Sequence, residues 1–138
     1  MRRFSLILLP AIALLACTGK YRRETTAEKV ETTPERLQRG EYLVNQVSYC
    51  GACHTSRPTG DLLDTERTDM FLGGGNVDKV TSMGVEIWIP NITSDVETGI
   101  GAWSDDEVIR AIRDGVHKDG RLLFPIMPFM SYQFMSDD

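Results

Sequence analysis

The sequence predicts a small all-α domain with long irregular connections. Three observations point that way. Two segments, one running toward Val47 and one starting at Ser104, combine helix start signals with apolar residues at spacings of three and four. Between them lie breaker clusters such as Arg57, Pro58, Thr59, Gly60 and Asp61, and the run Gly73, Gly74, Gly75, Asn76, which no regular element accommodates. A chain with this much loop usually needs an internal staple, and the pentapeptide Cys50, Gly51, Ala52, Cys53, His54 offers a place to attach one.

The 138 residues are one domain's worth, and 41% hydrophobic with 25% charged residues indicates a globular chain. Residues 1–16 are not part of the fold. Arg2 and Arg3 precede an apolar run over residues 4–15, broken only by Ser5 and Pro10, which is the pattern of a secretory signal and is too short for a membrane span. Export is the inference. Leu14, Leu15, Ala16 and Cys17 resemble a bacterial lipobox, in which the cysteine is lipidated and becomes the new N-terminus. Lipidation also explains the odd third cysteine, which would otherwise be a free thiol in an oxidising compartment. The alternative is an ordinary signal followed by an incidental cysteine.

Without the leader, 13 basic against 20 acidic residues leave a formal charge of −7, with no basic face along the chain, which argues against nucleic acid as a partner. Residues 17–33 form a tether rich in Thr, Lys, Arg and Glu, where Tyr21 and Val30 are the only sizeable apolar side chains. A flexible segment of that length reaches roughly 20–25 Å, which holds a domain near a membrane and lets it turn. It has no apolar stripe with which to lie on lipid.

Residues 34–138 are the folded domain. Thr33 is a fitting N-cap, Pro34 stands where a missing N–H costs nothing, and Glu35 complements the helix dipole. Leu37, Gly40, Val44 and Val47 then form one face of a helix that leads into the cysteine pair. Gly40 in that face costs about 1 kcal/mol relative to alanine and marks an expected close helix crossing. Val85 to Ile89 alternates as a strand would and ends at Pro90, but a lone strand has no partner, so no sheet is expected.

The second helix starts at a capping box, Ser104 with Glu107, and Trp103 with Val108 can form a hydrophobic staple across it. Val108, Ala111 and Ile112 are its expected buried stripe, and Gly115 ends it. The staple makes Trp103 a core residue. His117, followed by Lys118, Asp119 and Gly120, reads as a solvated turn histidine.

Two cysteines separated by two residues and followed at once by histidine are the spacing at which haem is fixed through both vinyl groups while the histidine ligates iron. Further on, Met127 sits between Pro125 and Ile126 on one side and Pro128 on the other, so a stiff loop presents its thioether. A weak ligand needs such support, and Met127 is the expected sixth iron ligand, with Met130 and Met135 in reserve. Two other chemistries stay open. A haem enzyme or gas sensor, for instance a peroxidase, would keep an open distal position with acid–base groups beside it. A zinc or disulfide module would recruit Cys50, Cys53, His54 and His117, although adjacent Cys53 and His54 strain a tetrahedral site.

Taken together, RGEYLV, YCGACHT, NITSDVETGIGAWSDDEVIRAIRDGV and DGRLLFPIMPF resemble the class I c-type cytochromes, and within them the cytochrome domains that accompany periplasmic alcohol, aldehyde and gluconate dehydrogenases. The likeness covers the chain from Thr33 onward. It implies a small cytochrome c fold around one covalent haem c, with Cys50 and Cys53 as thioethers, His54 as proximal and Met127 as distal ligand. It also implies a non-enzymatic electron carrier on the periplasmic side, exchanging single electrons with a dehydrogenase or a respiratory chain component, and Pro58 as the carbonyl that orients the proximal imidazole. Chains of this family continue into a terminal helix that crosses the first at a small residue. Here Ser136, with Asp137 and Asp138, starts such a helix and the sequence stops, so a truncated C-terminal helix is expected, completed by a longer chain or a partner subunit.

Overall fold

A computed structural model describes residues 27, 29–57, 68–75, 77–80 and 84–135. Helix α1 spans Pro34–Tyr42 and passes without a break into a π-helical turn, Leu43–Val47. Its start is the expected one: Thr33 is extended, and its Oγ1 accepts from the backbone N–H of Arg36 at 3.3 Å, satisfying one of the helix's orphan donors. Leu37 and Val47 remain mostly exposed, and a Cβ built at Gly40 would meet nothing within 4 Å, so among the described residues no helix crosses there.

The next element is the motif itself. Helix α2, Gly51–His54, is one turn long and is tied on by the Cys50 N–H to the Val44 carbonyl at 3.0 Å. Gly51 at its start lies against the Phe71 ring, which a Cβ there would approach to 2.9 Å and push aside. After a 3₁₀ turn at Thr68–Met70 the chain enters a hairpin, β1 Val77–Val80 antiparallel to β2 Val85–Trp88. This overturns the expectation that the second stretch lacks a partner. Asp78 and Lys79 hide the first strand in the sequence, yet they stand in register with Ile87 and Glu86. Helices still dominate the regular structure, with this small sheet appended.

Helix α3, Asp105–Asp114, carries the full capping box: Glu107 N–H donates to Ser104 Oγ at 3.2 Å, and Ser104 N–H donates to Glu107 Oε2 at 2.8 Å. Gly115 ends it in the left-handed region at φ 65°, and Leu123 N–H returns to the Gly115 carbonyl at 2.7 Å. The short helix α4, Phe129–Tyr132, packs its Phe129 ring against Gly115 so closely that a Cβ would lie 2.7 Å from ring carbons. The buried faces differ from the expected stripe. Asp106 and Arg110 are the buried residues of α3, whereas Ile112 is exposed and Val108 and Ala111 are half-buried.

Val30 N–H donates to Asp105 Oδ2 at 2.8 Å, so the end of the expected tether is fastened to the first turn of α3. The rest of that tether apart from residues 27 and 29–33, the leader with Cys17, Pro58, and Ser136 to Asp138 lie outside the described residues. Among the described residues no helix is long and apolar enough to cross a membrane.

Candidate cofactor-binding site

The stripe of α3 is explained by what it faces. A cavity of about 750 Å³ is walled by Val108, Ala111 and Ile112 on one side and reaches the cysteine motif, the end of β2 and the methionine loop. That size is within the range that holds small organic ligands. Cys50, Cys53, His54 and Met127 all border it. Of the described methionines Met70, Met127, Met130 and Met135, only Met127 does.

His54 is held on two sides. Its carbonyl accepts from Gly74 N–H at 2.6 Å, and its Nδ1 lies 2.9 Å from the Pro90 carbonyl. A carbonyl only accepts, so Nδ1 carries the proton and Nε2 keeps its lone pair, the tautomer needed to ligate a metal through Nε2. Burial lowers the pKa of the imidazole, with the bond to Pro90 working against that. The orienting carbonyl therefore belongs to Pro90, in the position the sequence assigns to Pro58, which lies outside the described residues.

The Pro90 segment is fixed in turn. Gly74 has φ 70°, and a Cβ on it would collide with the Pro90 carbonyl carbon and come within 2.5 Å of Asn91 N, so a glycine is needed for the two stretches to touch. Beyond it the 91–101 loop is cross-braced. Asn91 Oδ1 accepts from Thr93 N–H at 2.8 Å, and Asp95 Oδ1 accepts from Thr98 N–H at 2.7 Å and from its hydroxyl at 2.8 Å. These bonds, the Thr98 ones first, hold the Asp95 carboxyl below its ordinary pKa. Gly101 is pressed against the Ser94 carbonyl, leaving no room for a side chain. The result is a stiff wall presenting Ile92 and Ile100 to the cavity.

Neither Cys50 nor Cys53 is in a disulfide. Cys50 is half-buried, and burial, with Cys53 nearby as a smaller cause, raises its pKa; Cys53 is exposed. Met127 sits in a backbone turn, its N–H donating to the Phe124 carbonyl at 3.1 Å and its carbonyl accepting from Phe129 N–H at 2.8 Å. From α4, Tyr132 reaches over to donate to the Ser48 carbonyl at 3.4 Å, linking the methionine side to the approach of the cysteine motif.

Two residues are not where the sequence put them. His117 is not a solvated turn residue: its side chain is 21% exposed, and it stands edge-on to Trp103 at 4.8 Å between centroids. Both rings border the cavity, so Trp103 is part of the site. Nδ1 of His117 is 2.9 Å from Asp119 Oδ1 and 3.4 Å from Asp119 N, and the two contacts demand opposite roles of Nδ1. The shorter, charge-assisted one sets it as donor. Among the described residues no three His, Cys, Asp or Glu side chains are grouped to hold a metal ion, so the four residues of the zinc alternative are not gathered.

The chemistry of the donor set fits haem. Two thiols adjoin a tautomer-fixed imidazole on one helical turn, a thioether borders the same space, and the remaining wall is largely aliphatic and aromatic.

No protein-family model matches the chain. Individual relatives do. The chain is 38% identical over 102 residues, 74% of its length, to the gluconate 2-dehydrogenase cytochrome c subunit of Pantoea cypripedii. It is 36% identical over 89 residues, 64% of its length, to the cytochrome c subunit of the quinone-dependent alcohol dehydrogenase of Gluconobacter oxydans. Across 137 residues it is 29% identical to the fructose dehydrogenase cytochrome subunit of Gluconobacter japonicus. It spans 20%, 18% and 26% of those three proteins. The chain is thus a homologue, over part of their length, of cytochrome c subunits that accompany dehydrogenases.

Proposed function

We propose that the chain is an exported electron carrier with one covalently bound haem c, held to a membrane through lipid on Cys17 and serving a periplasmic dehydrogenase or a respiratory chain component. The observation that carries this is the shared cavity: the motif Cys50, Cys53, His54 and the single methionine of the proline-flanked loop border one apolar space. Names of the relatives as cytochrome subunits of dehydrogenases support the electron-transfer role and the kind of partner.

When bound, haem c supplies a one-electron iron couple. The protein's residues do the rest. Cys50 and Cys53 fix the group through thioether bonds, and His54, steered by Pro90, offers Nε2 to the iron. Met127 would hold the group through its thioether, a ligand that raises the potential and would close the site to exogenous ligands. The aliphatic wall from Val108, Ala111 and Ile112 excludes water and lowers the cost of cycling between charge states.

Co-expression with a haem-attachment system tests the reading. A purified chain whose mass rises by one haem, and whose oxidised spectrum has the weak red-edge band of methionine–iron bonding, is expected. Met127→Leu should abolish that band and admit carbon monoxide to the reduced form, whereas Met130→Leu and Met135→Leu should not. Zinc without iron on metal analysis would refute the proposal, and carbon monoxide binding to the unmodified chain would move it to an enzyme or sensor. Retention of Cys17→Ser in the membrane fraction would defeat the lipid anchor alone.

A further inference from the structure

The cavity wall is largely apolar, and its basic side chains outside the motif are gathered at one place. Outside the motif, the charged or titratable side chains bordering it are Tyr49, Glu97, His117, Lys118, Arg121 and Tyr132. Three of them belong to one tight turn, 117–121, closed by His117 N–H to the Arg121 carbonyl at 2.9 Å and Gly120 N–H to the His117 carbonyl at 2.8 Å. Gly120, at φ 87°, makes the turn possible.

Within the turn the groups are arranged rather than scattered. Asp119 accepts from Arg121 N–H at 3.0 Å, and its carboxylate meets Arg121 Nε at 3.3 Å and His117 Nδ1 at 2.9 Å. Those bonds, the one from Arg121 N–H first, hold the Asp119 carboxyl below its ordinary pKa, so it stays an anion that braces both neighbours. With Nδ1 donating to Asp119, His117 can donate from Nε2 to a carboxylate only as the imidazolium, so the fixed positive charge of the turn is that of Lys118 and Arg121. Trp103 packs edge-on against His117 and carries Lys118 Nζ over its face at 5.7 Å, which fixes the imidazole and directs the ammonium to the same side. Among the described residues the one acidic side chain on the cavity wall, Glu97, is on the separate 91–101 loop.

A ligand that fills an apolar cavity and puts its charge against one basic turn is an amphiphile with anionic groups along one edge, and a porphyrin with its two carboxylates is such a ligand. We infer that the 117–121 turn, through His117, Lys118 and Arg121, is the subsite for the propionate edge of the porphyrin. This rests on the haem reading above and deepens it, since a porphyrin's two carboxylates must leave the apolar wall somewhere. His117, Lys118 and Arg121 are positioning residues for that edge.

The test compares haem with haem dimethyl ester, whose propionates are capped and uncharged. In a Cys50→Ala/Cys53→Ala background, where binding is reversible, haem affinity should fall about five- to tenfold when His117→Gln, Lys118→Gln and Arg121→Gln are combined, as three partly exposed polar contacts allow. Ester affinity should stay within about twofold. Equal effects on acid and ester, or none on either, overturn the subsite while leaving haem binding intact. If neither compound binds and the unmodified chain also takes no haem, both readings fall together. Should the cysteine-free background simply not bind, the covalent protein decides through its resonance Raman propionate bending band. That band is expected to shift with His117→Gln and Arg121→Gln, and an unmoved band overturns the subsite.

Discussion

Alanine at Gly74 should cost far more than alanine at Gly84, although both glycines have nearly the same backbone, φ 70° and φ 63°. The conformational penalty of a Cβ in the left-handed region is about 1–2 kcal/mol, reduced by about 0.4–1 kcal/mol because alanine also restricts the unfolded chain. At Gly84 nothing lies within 4 Å of the new Cβ, so the net cost should be about 1 kcal/mol. At Gly74 the Cβ would press on backbone: the Pro90 carbonyl carbon, Asn91 N at 2.5 Å and Ile89 O at 2.7 Å. No rotamer relieves that, so the 89–91 segment must move, taking with it the Pro90 carbonyl that accepts from His54 Nδ1. Losing that bond from a buried histidine adds about 1–1.5 kcal/mol, which brings Gly74→Ala to about 2–2.5 kcal/mol, with the remaining backbone displacement on top. Urea unfolding of the two variants, followed by far-ultraviolet circular dichroism, should separate them by at least about 1–1.5 kcal/mol. The imidazole nitrogen resonances of His54 should shift only in Gly74→Ala. Equal stability loss at the two sites, or an unmoved His54 in Gly74→Ala, would refute the view that this glycine sets the imidazole.

Two further outcomes follow from local geometry. Ser104→Ala removes the acceptor of the Glu107 N–H bond and should destabilise α3 by about 1 kcal/mol in urea unfolding, with Ser104→Asp nearly neutral because aspartate caps equally well. Asp95 has its folded pKa below its ordinary value, so its bonds stabilise the fold above the unfolded pKa, and that stability drains away as pH falls from about 5 toward 2. Thermal midpoints of Asp95→Asn should accordingly vary less with pH across that window than those of the parent, and an unchanged profile would show that the 91–101 loop does not brace the fold.

What the sequence made legible was local. Thr33 with Pro34, Ser104 with Glu107, and Gly115 each act on backbone within a few residues, so their chemistry can be read without knowing the fold. The order of the site was legible for the same reason, since two thiols and the following imidazole share one turn by spacing alone. What failed was whatever depended on a distant partner. The apolar stripe of α3 said that one face leaves water, not whether side chains or a cavity receive it. A backbone acceptor such as the Pro90 carbonyl has no side-chain signature, so Pro58 and Pro90 look alike in the sequence. Strand β1 escaped because Asp78 and Lys79 break the apolar alternation, and only the register opposite Ile87 and Glu86 accounts for them. His117 looked solvated because Lys118, Asp119 and Gly120 flank it, whereas Trp103, far off in sequence, covers it.

The distribution of apolar residues gives the fold a dependence on its occupant. Among the described residues only Ile89 and Val116 are buried hydrophobics, while Val108, Ala111, Ile100, Ile92 and Leu123 turn toward the cavity. At about 24 cal/mol per Å³, a dry cavity of about 750 Å³ would cost up to about 18 kcal/mol, more than the 5–15 kcal/mol by which whole domains are stable. Any water admitted makes that figure an upper bound, but water against aliphatic walls recovers little of it. Filling the cavity with haem supplies the contacts that a conventional core would make between side chains, and covalent attachment makes them permanent. Cys50→Ser/Cys53→Ser, produced without haem, should therefore bind a hydrophobic dye and lose its circular dichroism gradually on heating, while the haem-loaded chain melts sharply and leaves the dye free. Equally sharp transitions in the two forms would mean that the side chains bordering the cavity close on one another without the cofactor, and that the cavity is not where this fold keeps its core.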